Sequence, residues 1–389
     1  MISVIFRSFY IGFLLALDLV YVLLFAFVHN ATINILGLVA LVWSLVYIPA
    51  TLIFSRIGDE GGVNILSITS MLASLLAVYL LINYYSLFHI LLLSYILHSI
   101  ALSAGRISHS VSLNESYYFE EWSRYSMASL STQRFMYAGL LIILYLSGLT
   151  SSLIYLVLLG SVLSIIYPFL ITYRGFERRY SIVISRLNTF SAVSRYVTAY
   201  LDSSYLGSID LSEWYSSRGS LLIIVLSAFL TSIAIEIVMT PIPAVLRASL
   251  GFQNLLIVYV IVNILIGLSL ILFSGSNPDP RLTGSLRIIP LLGILFTTPV
   301  LSSSIAYVYI LGVFYALLNI SNNLFSATLY NMYNNRAYGF GLGIFSSIIE
   351  AGSLIGDTLL WLLLGGLGYN VIIYLSIALL LFSVIILKS

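Results

Sequence analysis

The chain is written as long, uninterrupted apolar blocks separated by short polar breaks. Within a block the apolar residues do not alternate with polar ones, which argues against the period-two strands of a membrane β-barrel. A block of about 18 or more apolar residues is long enough to cross a hydrocarbon core as a helix. The pattern predicts twelve spans, at 4–28, 35–55, 63–83, 86–109, 126–147, 150–172, 219–242, 250–274, 284–302, 304–328, 338–365 and 367–387. The first block, Val4 to Val28, is too long for the apolar part of a signal peptide and is followed by no small-residue cleavage site, so it reads as the first span. Most connections are short. The exception, 173–218, is polar, Ser-rich and holds the main run of charge, and it separates six spans from six. The expected organisation is an N-terminal six-helix bundle over 1–172, a cytoplasmic central loop over 173–218 and a C-terminal six-helix bundle over 219–389.

Composition agrees with a lipid-embedded chain. It is 60% hydrophobic and 8% charged, with a mean hydropathy of +1.08, whereas a soluble domain carries roughly 25% charged residues. There is no cysteine, which excludes disulfides and thiolate metal sites. The formal charge of +2 gives no reason to expect a nucleic-acid partner. The placement of the charge is more informative, because arginine and lysine concentrate on the cytoplasmic side of membrane proteins. With the N-terminus inside, Arg7, Arg56, Arg106, Arg124, the arginines of 173–218, Arg281, Arg287, Arg336 and Lys388 fall on or toward that side; only Arg247 lies outside, and Arg134 lies within a span. A multi-pass protein of the cell (plasma) membrane with both termini cytoplasmic is expected, working as a monomer in the bilayer.

The two halves share sparse landmarks. Asp18 in span 1 corresponds to Glu236 in span 7, Asp59 after span 2 to Asp279 after span 8, and Arg124 before span 5 to Arg336 before span 11. Six plus six helices in parallel repeat is one of the transporter architectures. The stretch from Leu36-Gly37-Leu38-Val39-Ala40 through Ser55-Arg56-Ile57-Gly58-Asp59-Glu60-Gly61-Gly62 resembles the second helix and following loop of the major facilitator superfamily. Asp59 and Gly62 match that loop's Asp and second Gly. Ser55 stands where its first Gly is usual, and Glu60, Val63 and Asn64 stand where basic residues are usual. Asn335-Arg336-Ala337-Tyr338-Gly339-Phe340-Gly341-Leu342-Gly343 with Gly352-Ser353-Leu354-Ile355-Gly356 is similar to the family's entry to helix 11, and Glu115 through Arg124 to its approach to helix 5. The Gly-Pro signature of the family's drug–proton antiporters is missing from Met127 to Leu149. The resemblance implies an all-α membrane protein with twelve transmembrane helices in two six-helix bundles. It also implies a conformational latch at Asp59, Gly62, Arg124 and Arg336. From the residues alone, Asp59 reads as a cap at the start of a helix, and Gly61 and Gly62 as a turn with positive φ.

Charged groups at mid-bilayer cost about 2.5–3.5 kcal/mol on insertion scales and face a cavity or a partner. Asp18 sits well inside span 1, and Arg134 in span 5 could reach its level; the pair reads either as a switch answering substrate or proton, or as a static ion pair that fixes packing. On span 4, Tyr95, His98, Arg106 and His109 fall within one face. His98 and His109 are candidate proton carriers and Arg106 a candidate for an anionic substrate, while His109 also reads as an interfacial residue. Span 10 carries Asn319, Asn322 and Asn323, which could bind solute or neighbouring helices. Glu236 in span 7 and Glu350 in span 11 are candidate proton sites, with Asp357 on the same stripe as Glu350. Gly-rich span 11 reads first as close packing.

These residues point to a secondary active transporter of a small solute by alternating access, coupled to protons, with no cofactor. Two alternatives belong to other classes. A scaffold or sensor of transporter shape without transport activity would explain the divergent loop after span 2. A polytopic membrane enzyme would need a clustered catalytic set, and His29, His89, His98 and His109 form no metal pair with nearby carboxylates. No Gly-rich phosphate loop with its Lys is present.

Overall fold

A computed structural model describes residues 2–31, 33–116, 119–170, 211–240, 242–273, 279–297, 305–337, 342–364 and 369–387. Among these residues there are thirteen helices and no strand: α1 (Ile2–Phe27), α2 (Ile33–Asp59), α3 (Val63–Tyr84), α4 (Phe88–Ser116), α5 (Phe119–Ser147), α6 (Leu149–Leu170), α7 (Leu211–Met239), α8 (Ile242–Leu272), α9 (Pro280–Leu286), α10 (Ile288–Thr297), α11 (Ile305–Ala337), α12 (Leu342–Leu364) and α13 (Tyr369–Ile386). Ten of them are long and apolar enough to cross a membrane, and α13 adds a shorter apolar helix. Helices α9 and α10 follow one another as a single broken crossing. The molecule is an all-α membrane protein of twelve crossings in two six-helix bundles. Large apolar residues such as Leu38, Ile65, Leu146, Phe169 and Phe296 stand exposed on outer faces, where they meet lipid.

Each predicted span became a crossing, with informative differences at the ends. Helix α7 begins at Leu211, so the last residues assigned to the central loop are helical; Tyr173 to Asp210 lie outside the described residues. Helices α4, α5, α7 and α11 all overrun their predicted spans at the same end of the molecule, which also carries Arg56, Arg124 and Arg281 and is called here the basic end. Hydropathy misses these extensions because a polar turn satisfies its backbone within the helix as well as an apolar one does. The ninth span is broken at Arg287. Pro290 has no N–H to give the Leu286 carbonyl, and its ring crowds that carbonyl. Pro49 and Pro168 lie inside α2 and α6 without ending them, as membrane helices tolerate.

In the first bundle α3 packs on α4 and α6, and α1 on α4, α5 and α6; in the second, α12 and α13 pack on α7, and α11 on α8. The bundles meet along two seams, α2 against α12 and α5 against α8. Helix 2 of one half corresponds to helix 8 of the other, and helix 5 to helix 11, so each seam is the repeat image of the other. Glycine makes the approach possible. A Cβ on Gly352 would lie 2.7 Å from the Phe229 carbonyl oxygen, and one on Gly356 would lie 2.9 Å from that of Ile233. The expected close packing of span 11 is therefore real and is directed at α7. Gly352→Ile should wedge α12 from α7 and cost roughly 1–3 kcal/mol, the usual penalty of overpacking. Thermal unfolding of the purified protein checks this, and an unchanged midpoint would contradict the packing.

Candidate functional site

The polar residues of the spans converge between the bundles. Arg106 of α4 donates from Nη1 to the Tyr47 hydroxyl of α2 at 3.1 Å. Tyr47 is buried and stacks on Trp43, with ring centroids 4.6 Å apart. Arg134 of α5 donates from Nη2 to Asn323 Oδ1 at 2.6 Å and from Nη1 to Asn263 Oδ1 at 3.3 Å. It thereby ties the first bundle to α8 and α11 of the second. Both arginines are half-buried, and both line the same two openings. One, of about 270 Å³, runs between α1, α4 and α5 on one side and α11 and α12 on the other, past Asn323. The second, of about 350 Å³, is bounded by Glu236, Asn322 and Ser353.

The expected Asp18–Arg134 pair does not form. Arg134 is held by two amide oxygens instead, and Asp18 Oδ1 lies 4.0 Å from His98 Nε2. The reason is reach across helices: α1 turns Asp18 toward α4, where Tyr95 lies against the same carboxylate. Arg106 and Glu236 act on Asp18 electrostatically from farther away. His98, expected on the cavity wall, is fully enclosed. Its ring lies 5.3 Å from Tyr21 and 6.3 Å from Tyr95, and neither ring nitrogen has a hydrogen-bond partner. Helical spacing placed it on the right face, but aromatic neighbours fill the space before water can. His109, read as possibly interfacial, is buried too and shares a 2.8 Å hydrogen bond with Ser129 of α5.

The carboxylates gather on the second bundle. Glu236 and Asp357 are bridged by one hydroxyl, Thr240 Oγ1, at 2.8 and 3.0 Å. Glu350 accepts from Ser44 of α2 at 2.7 Å, across the α2–α12 seam. Of the amides, Asn322 and Asn323 reach the openings. Asn319 lines neither; it donates to the Tyr315 carbonyl at 3.0 Å, within its own helix. Asp18, His98 and Glu350 likewise stand back from both openings. Sequence reasoning missed Tyr47, Asn263 and Ser44. An amide deep in the strongly apolar eighth span, well past Gln253 and Asn254 at its start, was a usable signal for Asn263, whereas nothing distinguishes Tyr47 among 29 tyrosines.

At the basic end, α2 stops in a Schellman turn. The Gly62 N–H donates to the Ile57 carbonyl at 2.7 Å, the Gly61 N–H to that of Gly58 at 3.0 Å, and Gly61 has φ of 95°. Asp59 is therefore in the last turn of α2 and not at the start of α3, whose N-cap is Gly62 without a side-chain bond. Gly62 has φ of −80°, so only Gly61 uses the left-handed region. Gly62 is needed for space, since a Cβ there would meet Ile57 Cγ2 at 2.5 Å. Asp59 acts electrostatically on Tyr333 of α11, in the other bundle. Arg124 is exposed in the early turns of α5, and the Arg336 side chain lies outside the described residues. Arg7 and Arg287, read from charge placement as basic-end residues, are wholly buried within the protein.

No protein-family model and no curated protein sequence matches the chain. Solved structures do. The chain is similar to the proton:xylose symporter XylE of the major facilitator superfamily, bound to 6-bromo-6-deoxy-D-glucose, with a TM-score of 0.67 at 10% identity over 99% of this chain and 94% of that one. It is similar to the human organic anion transporter MFSD10 (TETRAN), with a TM-score of 0.68 at 11% identity over 99% and 98% of the two chains. It is also similar to a bacterial homologue of the iron transporter ferroportin in an outward-facing state with soaked iron, with a TM-score of 0.65 at 15% identity over 99% and 97%. The fold is that of the major facilitator superfamily.

Proposed function

We propose that this chain, a polytopic membrane protein with the major facilitator fold, is a secondary active transporter. It moves a small solute across the cell membrane by alternating access, as a monomer with both termini cytoplasmic. The observation that carries the reading is that two openings lie between the bundles and share Arg106 and Arg134 on their walls, with Glu236 on one of them. An ionisable residue held at membrane depth on the wall of an opening marks a solute or ion path. The bundles touch along two symmetry-related seams, α2–α12 and α5–α8, which supports rocking of one half against the other. The pathway is assigned to Arg106, Arg134, Asn322, Asn323 and Glu236, with Asp18, His98, Asn319 and Glu350 as the surrounding polar shell. Asp59, Gly62, Arg124 and Arg336 form the latch at the cytoplasmic end.

Proton coupling is part of the proposal. Glu236 and Asp357 share the single hydroxyl of Thr240. That hydroxyl has one proton to give, so two ionised carboxylates at this spacing leave one short contact without a good donor. A carboxylic proton supplies it, and the pair can exchange that proton as the bundles move. In proteoliposomes, an imposed pH gradient should drive concentrative flux. Glu236→Gln should lose this driven component while keeping solute exchange at zero gradient. Equal loss of both in the variant would reject the coupling role, and a solute that binds but never crosses would reject transport.

A further inference from the structure

We infer that the solute carries an oxyanion, a carboxylate or phosphoryl group, and that Arg106 and Arg134 together receive it between the bundles. The inference rests on reading this opening as the solute site. Among the described residues no carboxylate lies within 4.0 Å of either guanidinium. Arg106 is held by a tyrosine hydroxyl, and Arg134 by two amide oxygens. Neutral oxygens orient a guanidinium but do not cancel its charge, and two such charges act on each other here. Asp18 and Glu350 reach Arg106 only through their fields; Glu350 accepts from Ser44, and Asp18 is turned toward Tyr95 and His98.

Two like charges at membrane depth with no carboxylate in direct contact are costly, and an anion entering between the bundles lowers that cost. The guanidinium fork has five donors and suits the two oxygens of a carboxylate or phosphoryl group. Tyr47 and the asparagines engage only part of each fork and leave the rest open to the cavities. On the same wall the Asn322 amide oxygen is buried without a partner; turned over, that amide presents N–H groups to the anion. The openings, about 270 and 350 Å³, suit a molecule of benzoate or succinate size.

The test is isothermal titration of the purified full-length protein. The probes are benzoate, succinate and inorganic phosphate, each against a neutral counterpart: benzamide, succinamide and trimethyl phosphate. Binding of at least one oxyanion without its counterpart is expected. Its Kd should rise roughly 10- to 100-fold in Arg106→Gln and in Arg134→Gln, the range of a lost charged hydrogen bond. The exposed control Arg56→Gln should bind like the parent. Preference for benzoate or succinate over phosphate identifies a carboxylate substrate, and the reverse a phosphoryl one. If Arg134→Gln does not fold, Arg106→Gln carries the test, since its hydrogen bond to Tyr47 lies within one bundle. Three results each overturn the inference: none of the oxyanions binds, a neutral counterpart binds equally well, or affinity is unchanged in Arg106→Gln. Flux separates the two readings. Carriage of a neutral or cationic solute, with no oxyanion bound, ends the inference and keeps the transporter. An oxyanion bound through both arginines but never carried keeps the inference and ends the transporter.

Discussion

Under the proposed alternating access, Gly343→Val should bias the basic end of the protein toward its open state and slow transport without unfolding either bundle. Gly343 opens α12 and lies against the last turns of α2. A Cβ there would stand 2.3 Å from Ser55 Cβ and 2.8 Å from the Thr51 carbonyl oxygen. Valine adds two further methyls to a space that cannot take the first. Overpacking costs about 1–3 kcal/mol where the surroundings cannot yield. This contact lies on a seam between bundles, so it yields by parting. The cost then becomes a bias of the same size against the state that is closed at the basic end, a population shift of roughly 5- to 150-fold. The chain has no cysteine, so a single introduced thiol reports the change cleanly. Leu113→Cys places it on the wall of the opening near that end. Labelling by a membrane-impermeant maleimide applied from the basic side should accelerate by about the same factor in the Gly343→Val background. Unchanged labelling with a lowered unfolding temperature would mean that the substitution damages packing and gates nothing.

The second large effect is on stability. Arg287 is fully buried at the break between α9 and α10. Its guanidinium donates to the Gly284 carbonyl at 3.1 Å, Thr231 Oγ1 at 3.1 Å and Ser383 Oγ at 3.4 Å, and lies 3.7 Å from the centroid of the Phe325 ring. It joins α7, α11 and α13 to the broken crossing. Arg287→Ala removes these bonds and the volume of the side chain together, and should cost about 3 kcal/mol or more. Arg287→Met keeps most of the volume and removes the buried charge. Thr231 and Ser383 then retain each other at 3.3 Å, so most of the stability should remain, as when other buried charges are replaced by apolar residues of similar size. Unfolding temperatures of the two variants in detergent decide the matter. Equal losses would show that the charge itself, and not the space it fills, holds the crossing together.

The architecture was legible in the chain because a bilayer imposes a length and a polarity on every segment that crosses it. Twelve apolar blocks, the break between the sixth and seventh, and the repeat marked by Asp18 with Glu236 need no tertiary information. Close packing at Gly352 and Gly356 could be read the same way, since small residues four apart form one stripe on a helix. Charged and amide residues inside the blocks could be picked out as candidates because lipid makes each of them costly.

Which candidates meet was decided only by the fold. Sequence gives each residue a depth and a helix face, but not the rotation of one helix against the next. Asp18 and Arg134 have compatible depths, yet α1 presents Asp18 to His98, while Arg134 crosses to Asn263 and Asn323. His98 shares a face with Arg106 on α4, but aromatic rings seal one and leave the other on an opening. Asp59 moved from the start of α3 to the end of α2 because Gly61 turns the chain after it. Depth and polarity are properties of one segment in lipid, so the chain carries them by itself. Contact is a property of two segments at once, and it exists only after the bundles have packed.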